Sequence, residues 1–266
     1  LSKDNSSTSV GVGLLGLSGK YGNISKTDQN KCFEYICNNF NFLDTSNVYG
    51  EAEPLNSNLG RIISKTNSDI KVINKIGAGI KGTNILQKYQ NEFHNQLQIF
   101  NNVYPYALLI HQPNILNFEA ECKFLKYIKN ISGQTLIGIC TNNLKVLENY
   151  LEVLDIDMLQ IAINPLDYLA NTKILQTAKN NGLIIHARSA LSSGIINSKY
   201  TSISDCKFSD PLRSRFLESE KNKDILSRRI KSVNKIKSFY KSSLQNKEIP
   251  NISFESFVYS LTYNSE

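Results

Sequence analysis

Four residues in the first half of the chain have types that combine into one chemical device. Asp44 and Tyr49 stand in FLDTSNVYG, Lys75 ends IKVINK, and His111 ends YALLIH. Asp44, Lys75 and His111 each close a short apolar run, where a strand would leave the core, and Tyr49 sits in the polar turn beyond Asp44. A free tyrosine has a pKa of about 10 and is a poor acid near neutrality. A neighbouring ammonium stabilises the phenolate and so makes the phenol a better donor. Asp44 can hold Lys75 charged and in position, and His111 can orient a carbonyl oxygen by hydrogen bonding. Together they form a proton donor aimed at a developing alkoxide. The hydride for such a reduction would come from a nicotinamide cofactor. Taken singly, each residue also has a plain structural explanation: a turn cap for Asp44, a surface position for Lys75, packing for Tyr49 and a core histidine for His111. A Schiff base on Lys75, in a lyase or isomerase, is a further chemistry open to the set. Three consecutive strand ends supplying complementary groups favour reduction.

The elements that must position these residues alternate. Candidate strands are Val10–Leu14, Phe42–Asp44, Ile70–Lys75, Tyr106–His111, Leu136–Ile139, Met158–Ile161 and Leu183–His186. Most are uniformly apolar, the pattern of strands buried on both faces. Between them lie helical patterns: Phe118, Cys122, Leu125 and Ile128 recur at helical spacing, and Asn171–Asn181 precedes Gly182, a C-cap residue. Strict alternation predicts an α/β fold with a parallel sheet and right-handed crossovers. Seven strands approach the eight of a TIM barrel, whose chemistry lies at the C-terminal strand ends. The tail reads as two helices, Asp224–Leu244 and Ile252–Tyr263, with no eighth strand. The expectation is one (β/α) barrel domain over residues 1–266, incomplete at its C-terminus, with residues 1–9 a polar, disordered leader. Unpaired barrel edges make a homodimer an expectation as well.

Composition narrows the class. The 266 residues are 41% hydrophobic, enough for a sizeable core, and no run of about 18 apolar residues suggests a membrane span. Five cysteines without C-x-x-C spacing argue against a disulfide framework or a structural zinc site and point to a reducing cytoplasm. His94, His111 and His186 do not fall at ligand spacing, so no metal is expected. His186, inside an apolar strand, reads as core packing. Residues 207–247 hold twelve Lys/Arg against four Asp/Glu, a local charge of +8, while the whole chain carries +7. Such a segment attracts phosphates in general, or is a solvated helix face. No nucleic-acid motif accompanies it.

These motifs resemble the aldo-keto reductases. DTSNVYG is similar to their Asp-Thr-x-x-x-Tyr-Gly signature, VINKIG to the strand with the catalytic lysine, and YALLIHQPN to their LLLIHWP-type strand. IGICTNN, LQIAINPLD and LIIHARSALSSGII follow in the expected order, so the resemblance covers roughly Val10 to Ile196. It implies a TIM barrel, a catalytic tetrad of Asp44, Tyr49, Lys75 and His111, and NADP(H) or NAD(H) as cofactor. It further implies Thr141, Asn142 and Gln160 at the nicotinamide carboxamide, and Ser189, Leu191 and Gly194 along the pyrophosphate. Arg188 takes the place where many members stack an aromatic ring, and a guanidinium also stacks. GLSGKYGNISKT and IHARSALSSGII resemble a bacterial branch found with surface-polysaccharide and nucleotide-sugar genes, which implies a small carbonyl substrate such as a sugar or nucleotide sugar. The last strand, phosphate turn and basic helix of the family are not visible after Tyr263. An alternative expectation is therefore a barrel that kept the tetrad but serves as a binding or regulatory protein.

Overall fold

The computed structural model describes residues 9–50, 55–66 and 69–263. Apart from Ser9, the leader expected over residues 1–9 lies outside them. Seven strands form one sheet in the order β1 to β7: Gly11–Gly13, Phe42–Ser46, Lys71–Ile76, Ala107–Ile110, Leu136–Cys140, Met158–Ala162 and Ile184–Arg188. The pairings from β1 to β6 are parallel. Helices α1 (Lys26–Asn39), α2 (Leu55–Thr66), α3 (Ile85–Ile99), α4 (Phe118–Ile131), α5 (Leu144–Leu151) and α6 (Tyr168–Asn180) separate successive strands. The chain then runs through the short α7 (Pro211–Ser214), the long α8 (Glu220–Gln245) and α9 (Phe254–Tyr263). This is a (β/α)8-type TIM-barrel fold, with seven strands among the described residues. No helix among them is long and apolar enough to cross a membrane.

The strand ends correct the sequence reading. β2 does not stop at Asp44 but continues through Thr45 and Ser46, which pair with Asn74 and Lys75 of β3. Both residues are polar yet fully buried, so polarity alone mislocates the end of the strand. β3 likewise runs one residue past Lys75, to Ile76. β4 ends at Ile110, although the His111 amide still donates to the Ile76 carbonyl at 2.8 Å. Burial on both faces holds for β4, whereas β1 and β7, the two ends of the strand order, are largely half-exposed or exposed. Gly182 does close α6, with a φ of 68° and its amide on the Lys179 carbonyl.

The chain divides into two compact units. The first comprises Leu1–Ile161 and Ile174–His186. Its strand residues alternate faces, as the pleat requires. On one face of β2, Leu43 packs with Leu14, Phe33, Ile36 and Leu59. On the other face, Phe42 and Tyr106 pack against Ile73, Ala107, Leu109 and Met158, and Lys71 lies 5.3 and 5.0 Å from the Phe42 and Tyr106 ring centres. Asp44 and Ser46 share this second face with Phe42. The helices are tied by polar bonds as well. Thr45 donates to Asn56 of α2 at 2.6 Å, and Asn56 donates to Gln96 of α3 at 2.6 Å. Glu121 of α4, fully buried, accepts from Tyr89 of α3 at 2.8 Å and from Tyr150 of α5.

The second unit comprises Ala162–Lys173 and Ala187–Glu266. It has its own apolar clusters. One gathers Ile196, Val233, Phe254, Phe257 and Val258, and the other gathers Ile195, Cys206, Leu226 and Ile230. Arg229 of α8 is anchored by Asp167 at 2.6 Å and donates to Ser192 at 2.6 Å. Asp210 caps α7 and pairs with Arg213 at 2.7 Å.

Two expected outcomes follow for stability. A Cβ on Gly138 would stand 2.0 Å from the Met158 carbonyl oxygen of the paired strand. Gly138→Ala should therefore lower stability by at least about 2 kcal/mol in urea unfolding, because backbone and not a flexible side chain must move. Burial is the largest influence on Glu121 and pushes its carboxyl upward, against the opposing effect of its hydrogen bonds. A raised folded-state pKa means that the stabilisation is complete below the unfolded value and is lost as pH rises through the folded one. Glu121→Gln should flatten this loss when unfolding is compared at about pH 5 and about pH 8.

Candidate active site

The site is built on the one strand face that continues upward from Phe42. Lys75 is 1% exposed, so its ammonium is out of water and needs a counter-charge. Asp44 supplies it: Lys75 Nζ donates to Asp44 Oδ1. The other carboxylate oxygen, Oδ2, accepts from Gln160 Nε2 of β6 at 2.6 Å. The carboxylate thus bridges β3 and β6, and this bridge fixes the orientation of the Gln160 amide, since only the NH2 end can face a carboxylate. The same nitrogen lies 2.9 Å from His186 Nδ1. Gln160 Oε1 is buried with no hydrogen-bond partner among the described residues.

Tyr49 enters from the loop after β2. Its amide bonds the Ser46 carbonyl at 3.2 Å, and Gly50 follows with a φ of 88°. This tight turn folds the ring back over the strand ends, where it is 9% exposed. Lys75 Nζ lies 5.3 Å from the Tyr49 ring centre, a cation–π contact that adds to the ion pair. The His111 ring meets Tyr49 nearly edge to face, with centres 6.1 Å apart. Ser46 Oγ lies 2.8 Å from His111 Nδ1.

Asp44, Tyr49, Lys75 and His111 therefore form one contiguous group inside the first unit. Gln160 joins it directly. Thr141 adjoins through its backbone, its amide donating to the Gln160 carbonyl at 3.0 Å, and Asn142 follows it. Arg188, Ser189, Leu191 and Gly194 lie in the second unit. There Arg188 is exposed and donates to the Ser189 hydroxyl at 3.2 Å. Ser189, Ser192, Ser193 and Gly194 all have positive φ, and the Leu191 side chain packs on the core around Ile196. Sequence reading missed Ser46 and took His186 for packing. A sign of both was available: Ser46 is two residues from Asp44, on the same side of the strand, and His186 is the polar member of the otherwise apolar run Leu183–Ala187.

The family model of the Aldo/keto reductase family matches residues 9–248. The chain belongs to this family. Membership places it with the oxidoreductases. Solved structures agree on the fold. A glycerol dehydrogenase from Gluconobacter oxydans is similar over 96% of this chain and 78% of its own, with 18% identity and a TM-score of 0.69. An aldo/keto reductase from Klebsiella pneumoniae, solved with NADP and acetate, gives 12% identity and a TM-score of 0.56 over 70% of this chain and 65% of its own. The holo form of an aldo-keto reductase from Bacillus halodurans gives 17% and 0.57 over 72% and 65%. This family member thus spans just under two thirds of the length of the latter two. No curated protein matches it.

Breaking the ion pair tests the site's architecture. Asp44→Asn leaves a buried ammonium without its counter-charge and should destabilise by about 3 kcal/mol in urea unfolding. Adding Lys75→Met to Asp44→Asn should recover much of that loss, because no uncompensated charge then remains.

Proposed function

We propose that this aldo/keto reductase reduces a small carbonyl compound with a reduced nicotinamide cofactor, Tyr49 giving the proton. The observation that carries the reading is the contact group in which Lys75, buried and paired with Asp44, lies against the Tyr49 ring beside His111. Charge that develops on the phenol oxygen as the proton leaves is met by a desolvated ammonium, whose field is strong because water is excluded. Asp44 keeps that ammonium in place through a bond that Gln160 braces from the other side. His111 donates to the carbonyl oxygen and so polarises it towards the incoming electrons.

The residues present fit a nicotinamide. Gln160 Oε1 is a buried acceptor without a donor among the described residues, which a carboxamide NH2 would satisfy, and Thr141 and Asn142 follow the adjacent β5. Arg188, Ser189, Leu191 and Gly194 are the candidates for the remainder of the cofactor, by resemblance to the family. When bound, such a cofactor supplies the hydride. NADP(H) or NAD(H) both suit this reading. The substrate class, a sugar or nucleotide sugar, is supported by the GLSGKYGNISKT and IHARSALSSGII resemblance.

The test is nicotinamide absorbance with NADPH or NADH and a panel of aldehydes and ketones that includes sugars. Tyr49→Phe should cut turnover by roughly 10²–10⁴-fold while leaving cofactor binding and the melting curve unchanged. Turnover equal to the parent would remove Tyr49 as the acid. Cofactor binding without turnover by the parent chain would favour a binding or regulatory role.

A further inference from the structure

We propose that Ser46 sets the tautomer of His111, a positioning role that rests on the reductase reading above. Ser46 is fully buried, is the last residue of β2, and faces Lys75 in register. Among the described residues, its hydroxyl has one proton and three groups within reach that can accept it: His111 Nδ1 at 2.8 Å, the Lys75 carbonyl at 3.2 Å and Asn47 Oδ1 at 3.3 Å. The Lys75 carbonyl already accepts the Asn47 amide at 3.2 Å. Asn47 is half-buried and its side-chain oxygen is the most distant of the three. The shortest contact is to the imidazole, at the distance of a good hydroxyl hydrogen bond.

The direction of that bond decides the chemistry. A neutral imidazole has one donor nitrogen and one acceptor nitrogen. With Ser46 donating to Nδ1, the ring proton resides on Nε2, the nitrogen that must donate to a carbonyl oxygen. With the bond reversed, Nε2 would carry only a lone pair and would repel that oxygen. The ring is held for this role from two other directions. The His111 amide is fixed on the Ile76 carbonyl at 2.8 Å, and the Tyr49 ring stands across it at an interplanar angle of 78°. Ser46 acts through His111 and has no contact with the reacting atoms in this scheme.

The experiment reads the tautomer and the turnover separately. Long-range ¹H–¹⁵N spectra of the uniformly labelled protein, with His111 signals assigned by their loss in His111→Gln, should show an unprotonated Nδ1 and a protonated Nε2. Ser46→Ala should mix the tautomers and lower kcat about tenfold, the worth of one ordinary hydrogen bond. Cofactor affinity should be unchanged. Ser46→Thr, which keeps the hydroxyl, should retain both the spectrum and the rate. Where the alanine variant does not fold, Ser46→Cys, close in shape but a weak donor, serves in its place. A His111 that stays Nε2-protonated in Ser46→Ala, or a kcat equal to the parent's, would overturn the proposal. A parent chain with the expected spectrum but no carbonyl reduction would overturn the reductase reading and uphold the tautomer assignment.

Discussion

A buried ammonium cannot stand alone, and the arrangement of the first unit follows from that constraint. Lys75 is as deeply enclosed as the large apolar side chains around it. Taking a charge out of water costs several kcal/mol unless an opposite charge and well-placed donors accompany it. Asp44 answers the charge, and Gln160 occupies the carboxylate's second oxygen. Three strands, β2, β3 and β6, are thereby committed to one polar point. The Tyr49 ring closes over the same ammonium, so the group that would move a proton is placed by the interaction that makes the burial tolerable.

What allows such a point to exist is strand parity in parallel register. Phe42, Asp44 and Ser46 share one face of β2, and the lower part of that face is filled by apolar packing with Tyr106, Ile73, Leu109 and Met158. Gly138 contributes space: its position admits no side chain without displacing the β6 backbone. The opposite faces and the helices behind them are held by apolar packing and by a few fully satisfied polar bonds, Thr45 with Asn56 and Glu121 with its two tyrosines. Buried polar networks of this kind rigidify when every member is paired, which suits a scaffold that must hold the Lys75 pair in place.

The second unit shows a different use of charge. Much of the basic character of residues 207–247 lies in α8, yet part of it is structural. Arg229 is fixed by Asp167 and Ser192, and Lys237 donates to the carbonyls of Ser198 and Tyr200. Lys231, Lys235 and Lys241 are exposed. The two sequence-level explanations of that segment, phosphate attraction and a solvated face, therefore both overlooked side chains that serve to tie loops to α8.

The alternation of apolar runs with helical periods determined the α/β class, the seven strands and their order, because burial on a parallel sheet imposes that pattern locally. Residue types near strand ends also singled out Asp44, Tyr49, Lys75 and His111, the four side chains that the structure gathers into one contact group. Tertiary structure decided the rest. It extended β2 through Thr45 and Ser46, whose polarity hid their burial. It brought Gln160 and His186 to Asp44 from strands more than a hundred residues away, and it turned Ser46 towards His111. Hydrogen-bond partners separated so far along the chain leave no periodic trace in sequence, because only the sheet's register sets which side chains meet.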